Sequence, residues 1–218
     1  MNDRRFEDTG PKIVLTEGKT DCHVIIAICR AYNVPESFGF YACGSDDLVL
    51  KRLPALLAGS EKMQTIGVVL DADNPNLGAK WDSIKNRLVK EGYSVPERPN
   101  PDGTFFDADD KPKIGVWFMP DNKIDGMLED FCYQLAEEAA IDFAKSCVKT
   151  AKEKSFTSFL DNHEAKSIIH TYLAWQNEPG MPLGKAITAK ALDAGKPLAK
   201  KFAQFLNILF SEDNHGVT

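Results

Sequence analysis

TIGVVLDADNPN, residues 65–76, is the stretch on which the fold turns. From Ile66 to Leu70 it is apolar without alternation, as a central parallel strand covered on both faces requires; a half-exposed strand would alternate. The run ends in Asp71, so the strand's carboxyl end delivers an acid into a polar turn. The same rhythm of apolar run, turn and amphipathic stretch holds upstream. KIVLT (residues 12–16) reads as the first strand, followed by a helix carrying Val24, Ile25, Ile28 and Ala31, capped by Thr20 and ended by Pro35. A second strand over residues 38–43 leads through Gly44 and Ser45 into a leucine-bearing helix, in which Pro54 predicts a kink or a split.

Downstream, a helix is expected over residues 77–91 and a loop or hairpin insertion over 94–112, with Thr104 to Phe106 as its only strand-like core. KIGVWFMP (113–120) reads as the fourth strand. MLEDFCYQLA (127–136) opens a helical region that continues past Ala151. Helices are expected over residues 162–175 and 197–210, separated by the break EPGMPLG (178–184), with a frayed tail from Ser211. Alternating strands and helices predict an α/β Rossmann-like fold: a central, mainly parallel four-stranded sheet with helices on both faces. Residues 1–160 form the α/β domain, and residues 161–218 a helical C-terminal extension packed on the same unit.

Bulk properties narrow the function classes. With 43% hydrophobic and 27% charged residues in 218, the chain suits one globular unit and not a disordered or fibrous one. It holds no signal-like apolar run and no membrane-length one, so a cytoplasmic protein with no membrane partner is expected. Five cysteines, none in a C-x-x-C pair, read as buried thiols. A net charge of −6 argues against a protein that coats nucleic acid unaided. The best basic strip, Lys185 to Lys201, has five lysines against one aspartate and reads as either a phosphate-facing strip or a solvated helix face.

Three acidic pairs stand at or beyond the carboxyl ends of predicted strands: Glu17 with Asp21, Asp71 with Asp73, and Glu129 with Asp130. In an open α/β sheet the ligand crevice lies outside those ends, so residues distant in sequence can meet there. Carboxylates crowded together repel, and the crowd implies a cation. Hard oxygen donors without His or Cys select Mg²⁺ or Mn²⁺ over zinc. The competing reading for Asp73, followed by Asn74-Pro75, is a turn residue. His23, His163 and His170 read as ordinary helix residues and Trp117 as core, whereas Trp81 and Trp175 are open as base-stacking candidates. EGKTD is no P-loop, because Ile13 stands where its first glycine would be.

VLTEGKTD followed some fifty residues later by VVLDADNPN resembles the two signature motifs of the Toprim domain, over roughly residues 12–135. The likeness implies a Rossmann-like sheet with Glu17, Asp71 and Asp73 as the family's acids. Within the superfamily the chain is most similar to the OLD-like nuclease branch and to small uncharacterised bacterial Toprim-like proteins. That branch adds an acid four residues on, matched by Asp21, a Leu-Glu step matched by Leu128-Glu129, and a downstream lysine matched loosely by Lys196. The chain shows no cysteine-rich zinc module of a primase and has little room for a topoisomerase's strand-passage domain, so neither activity is expected from the shared motif.

The resemblance implies a metal-dependent phosphodiester hydrolase, a nuclease serving defence or repair, with a partner protein supplying the nucleic-acid grip. Two cations about 4 Å apart would stabilise the attacking and leaving oxygens. Glu17 would be metal ligand or base, and Asp71, Asp73, Asp21 and Glu129 metal ligands. Lys196 would stabilise developing phosphate charge. The alternative is a non-catalytic Toprim-like module that binds a nucleotide or a partner. A phosphatase of the haloacid dehalogenase type is disfavoured by order, since its aspartate pair follows the first strand and here the pair follows the third.

Overall fold

The structure, a computed structural model, describes residues 6–59, 63–73 and 76–211. The expected fraying from Ser211 therefore falls almost wholly outside the described residues. Five strands form one sheet: β1 (Lys12–Thr16), β2 (Gly39–Ala42), β3 (Thr65–Asp71), β4 (Thr104–Phe106) and β5 (Lys113–Met119). The order is β2-β1-β3-β5-β4; the first four are mutually parallel, and β4 runs antiparallel along the edge of β5. The expected four-stranded sheet is thus corrected to five. The strand-like core expected at Thr104 to Phe106 within the insertion is β4, and it joins the sheet by pairing with β5, a tertiary contact that a segment so short cannot signal alone.

Eight α-helices occur among the described residues: α1 (Lys19–Tyr32), α2 (Asp46–Ala58), α3 (Leu77–Lys90), α4 (Leu128–Gln134), α5 (Glu138–Glu153), α6 (Glu164–Leu173), α7 (Leu183–Thr188) and α8 (Pro197–Phe210). Alternation along the strands splits the core. Ile13, Leu15, Ile66, Val68 and Leu70 face one side and pack with α2 and α3; Val14, Val69, Trp117 and Met119 face the other, where α1, α4 and α8 lie. α8 can approach the sheet because Gly67 and Gly115 are paired neighbours on β3 and β5. A Cβ on Gly115 would stand 2.7 Å from Leu209 Cδ2. α7 crosses α1 closely, and a Cβ on Gly184 would meet the His23 carbonyl at 2.6 Å.

Several local expectations change. Gly18, not Thr20, is the N-cap of α1, and the Asp21 carboxylate accepts from the Gly18 N–H at 3.0 Å. Pro54 lies inside an uninterrupted α2. The helical region after Met127 breaks at residues 135–137 into α4 and α5, with Glu137 capping α5 through the Ala139 and Ala140 N–H groups. α7 begins within the segment read as a break. Lys185–Lys201 spans α7, a turn and α8, so it is no single helix face, and Lys185 and Lys201 are already paired with Glu178 and Asp102. Among the described residues no helix is long and apolar enough to cross a membrane.

Candidate functional site

The order β2-β1-β3-β5 reverses direction between β1 and β3, and an open α/β sheet has its crevice at the carboxyl ends flanking such a reversal. Glu17 follows β1 and Asp71 ends β3, so the two acids meet there. The Asp71 backbone N–H donates to Glu17 Oε1 at 3.0 Å. Asp71 Oδ1 in turn accepts the Leu128 N–H at 2.8 Å, docking the start of α4 against the end of β3. That contact brings in Glu129, 8% exposed, whose Oε1 lies 3.3 Å from Lys166 Nζ of α6.

Electrostatics show the same convergence. Burial, then Asp21, Glu17, Asp73 and Glu129, push the Asp71 carboxyl up to about 9. Asp21 rises to about 7 through burial, with Glu17 and Glu129 among the charges that raise it. Burial chiefly raises Glu17 and Asp73 as well. Asp71 therefore feels each of the other four acids expected to share its crevice. Asp130 does different work: its carboxylate accepts the Met127 N–H at 2.8 Å, a cap at the start of α4.

Besides Lys166, the cluster has a buried cation that sequence reasoning missed. Lys80, in the first turn of α3 and 4% exposed, places Nζ 2.6 Å from Asp46 Oδ2 and 4.0 Å from Glu17 Oε1. The signal for it was a lysine in a helix's first turn, where the helix dipole disfavours a cation. Lys196 is the half-buried N-cap of α8, with its backbone N–H donating to the Asp193 carbonyl. It is not among the leading charges acting on Glu17, Asp21, Asp71 or Asp73. Trp81, 2% exposed, bonds the Pro96 and Glu97 carbonyls through its indole N–H and is core, as is Trp117; Trp175 stays 47% exposed against Phe143.

Among the described residues no three His, Cys, Asp or Glu side chains converge closely enough to hold a metal ion as they stand. Glu17 and Asp71 each commit an oxygen to a backbone N–H, and Asp21 commits one to its helix cap. The donor chemistry nonetheless fits a hard cation: all oxygen, buried at Asp21 and Glu129 and half-buried at Glu17, Asp71 and Asp73, and mutually repelling.

No curated protein and no solved structure matches the chain. One family profile, described as "Protein of unknown function (DUF3226)", matches residues 11–211, from the start of β1 to the end of α8. The chain belongs to that family.

Proposed function

We propose that the chain is a Toprim-like, Mg²⁺- or Mn²⁺-dependent phosphodiester hydrolase acting on nucleic acid at the Glu17–Asp71 crevice. The observation that carries this reading is the gathering of Glu17, Asp21, Asp71, Asp73 and Glu129 around the β1/β3 switch point, where burial first and then the other four acids push Asp71 up to about 9. Such a group needs protons or a cation to persist at neutral pH. Asp21, Asp71, Asp73 and Glu129 would hold the ion, which supplies Lewis acidity and a lowered pKa for a bound water. Glu17, with the Lys80 ammonium 4.0 Å away, would bind metal or act as a general base. To serve as ligands through both oxygens, Glu17 and Asp71 must turn from their backbone donors. The net charge of −6 supports a partner protein as the source of nucleic-acid grip.

A second reading, a non-catalytic module that holds a nucleotide or partner, is favoured by those same backbone bonds, which leave the acids serving as structural pins. Purified protein with Mn²⁺ and single- or double-stranded DNA or RNA separates the two. Cleavage that falls by orders of magnitude in Glu17→Gln, with the fold intact by circular dichroism, supports the hydrolase. Binding without Glu17-dependent cleavage supports the module.

A further inference from the structure

We infer that a cavity of about 490 Å³, between the start of α3 and the turn after β5, is a phosphate-binding pocket whose donors are Asn122, the Gly78 N–H, Arg98 and Lys123. The inference goes beyond the hydrolase reading, because none of these residues belongs to the carboxylate group.

The argument begins with Asn122. Its backbone sits at φ 64°, in the left-handed region that asparagine tolerates better than most side chains. The residue folds back on β5: its N–H donates to the Phe118 carbonyl at 3.0 Å, and its Oδ1 accepts the Phe118 N–H at 2.7 Å. A backbone N–H can only donate, so the amide oxygen must face Phe118 and the NH₂ group must point the other way. That NH₂ group has no acceptor among the described residues, although Asn122 is only 2% exposed. A buried donor left without a partner costs stability, and folded proteins seldom keep one without a use. The cavity that Asn122 lines is the space from which an acceptor can reach it.

The remaining walls offer groups of the same kind. α3, 14 residues long, begins at the cavity, where its dipole favours an anion. The Leu77 N–H is taken by Asp125 and the Ala79 N–H by Asn76, whereas the Gly78 N–H between them has no acceptor among the described residues. Arg98 and Lys123 are exposed on the wall, and among the described residues neither has an ion-pair partner. Two acids share the lining. Glu97 is paired with Lys85 Nζ at 2.6 Å, so Asp82 alone stands against the two cations and the wall is net positive. The Trp81 indole N–H is already bonded to the Pro96 and Glu97 carbonyls, so its ring adds only an apolar surface. Amide, helix N-terminus, guanidinium and ammonium are all donors, the set that holds phosphate oxygens.

The position suits the proposed substrate. β3 and β5 are parallel neighbours with Asp71 paired to Met119, so the cavity lies at the same end of the sheet as the Glu17–Asp71 crevice, one strand over. A nucleic-acid strand in that crevice can present a neighbouring phosphate here, and a free nucleotide can present its own.

Nuclear magnetic resonance of the ¹⁵N-labelled full chain in chelator, where no cutting occurs, tests the pocket with inorganic phosphate, AMP and a single-stranded oligonucleotide without terminal phosphates. The Gly78 N–H and the Asn122 side-chain NH₂, the latter identified by its loss in Asn122→Asp, are expected to shift. Arg98→Glu combined with Lys123→Glu is expected to weaken that binding about tenfold. A shift with the oligonucleotide assigns a strand phosphate; a shift with AMP or inorganic phosphate alone assigns a free one. No shift at either group with any probe overturns the inference, as does binding there that the double variant leaves unchanged. Both of its positions are exposed, so it decides even where Asn122→Asp fails to fold. Cleavage is read separately: a wild type that binds phosphate here and never cuts removes the hydrolase reading and keeps the pocket.

Discussion

The Asp71 backbone N–H donates to the Glu17 carboxylate at 3.0 Å, across 54 residues of chain, and so ties the end of β3 to the turn after β1. Main-chain geometry thereby fixes the separation of two acids that electrostatics alone would drive apart. With Asp21, Asp73 and Glu129 added, the crevice holds more negative charge than Lys80 and Lys166 offset.

That imbalance gives the metal-free protein a distinctive pH dependence. Asp71 is raised from 3.8 to about 9 on folding, chiefly by burial and then by Asp21. The folded state therefore binds a proton that the unfolded chain releases above about pH 4. The stability linked to that proton is fully present below the unfolded value and is lost as pH rises toward 9. Asp21, raised to about 7, adds to the loss at lower pH. Thermal unfolding in chelator is expected to show a melting temperature that falls from pH 5 to pH 9. Asp71→Asn should flatten that fall, raise the melting temperature at pH 8.5, and remove any stabilisation by added Mn²⁺. A melting temperature that rises over this range would contradict the electrostatic reading.

Residues past 161 belong to the same core as the sheet, and stability measurements can show it. Phe202 is fully buried against Trp117, Phe131 and Phe205, and Phe202→Ala should cost about 3–5 kcal/mol in chemical denaturation. Gly115→Ala pushes a methyl group toward Leu209 and should cost about 1–3 kcal/mol. Ile208→Ala, at a half-exposed position on α8, should stay within about 0.5 kcal/mol. Equal effects at all three would show that α8 does not pack as described.

What the sequence displayed and what it hid divide along physical lines. β3 and β5 were legible because strands buried on both faces are unbroken apolar runs, and Glu17 and Asp71 because they sit at the ends of such runs. The Gly18 cap was hidden because Thr20 is the better capping residue; the observed cap relies on Asp21 reaching back to the Gly18 N–H. β4 was legible as a strand-like core at Thr104 to Phe106, but its place in the main sheet was hidden because three residues do not signal their partner, and α7 was hidden because Pro182 and Gly184 read as a break. Lys80 was hidden for a different reason. Its place in a helix's first turn is only a weak local signal, and its burial follows from α2 and α3 lying side by side on one face of the sheet.

The most direct test of the site is crystallographic: crystals grown at pH 8.5 with Mn²⁺, and anomalous scattering measured above the manganese edge. The expected result is a peak at the carboxyl ends of β1 and β3. Oxygens of Asp71 and Asp21 should lie about 2.1 Å away, the range for a small hard divalent ion, with Lys80 still on Asp46. No peak there at saturating Mn²⁺, or one only at acids remote from Glu17, Asp21, Asp71 and Asp73, would contradict the assignment of this crevice as a metal-dependent catalytic site.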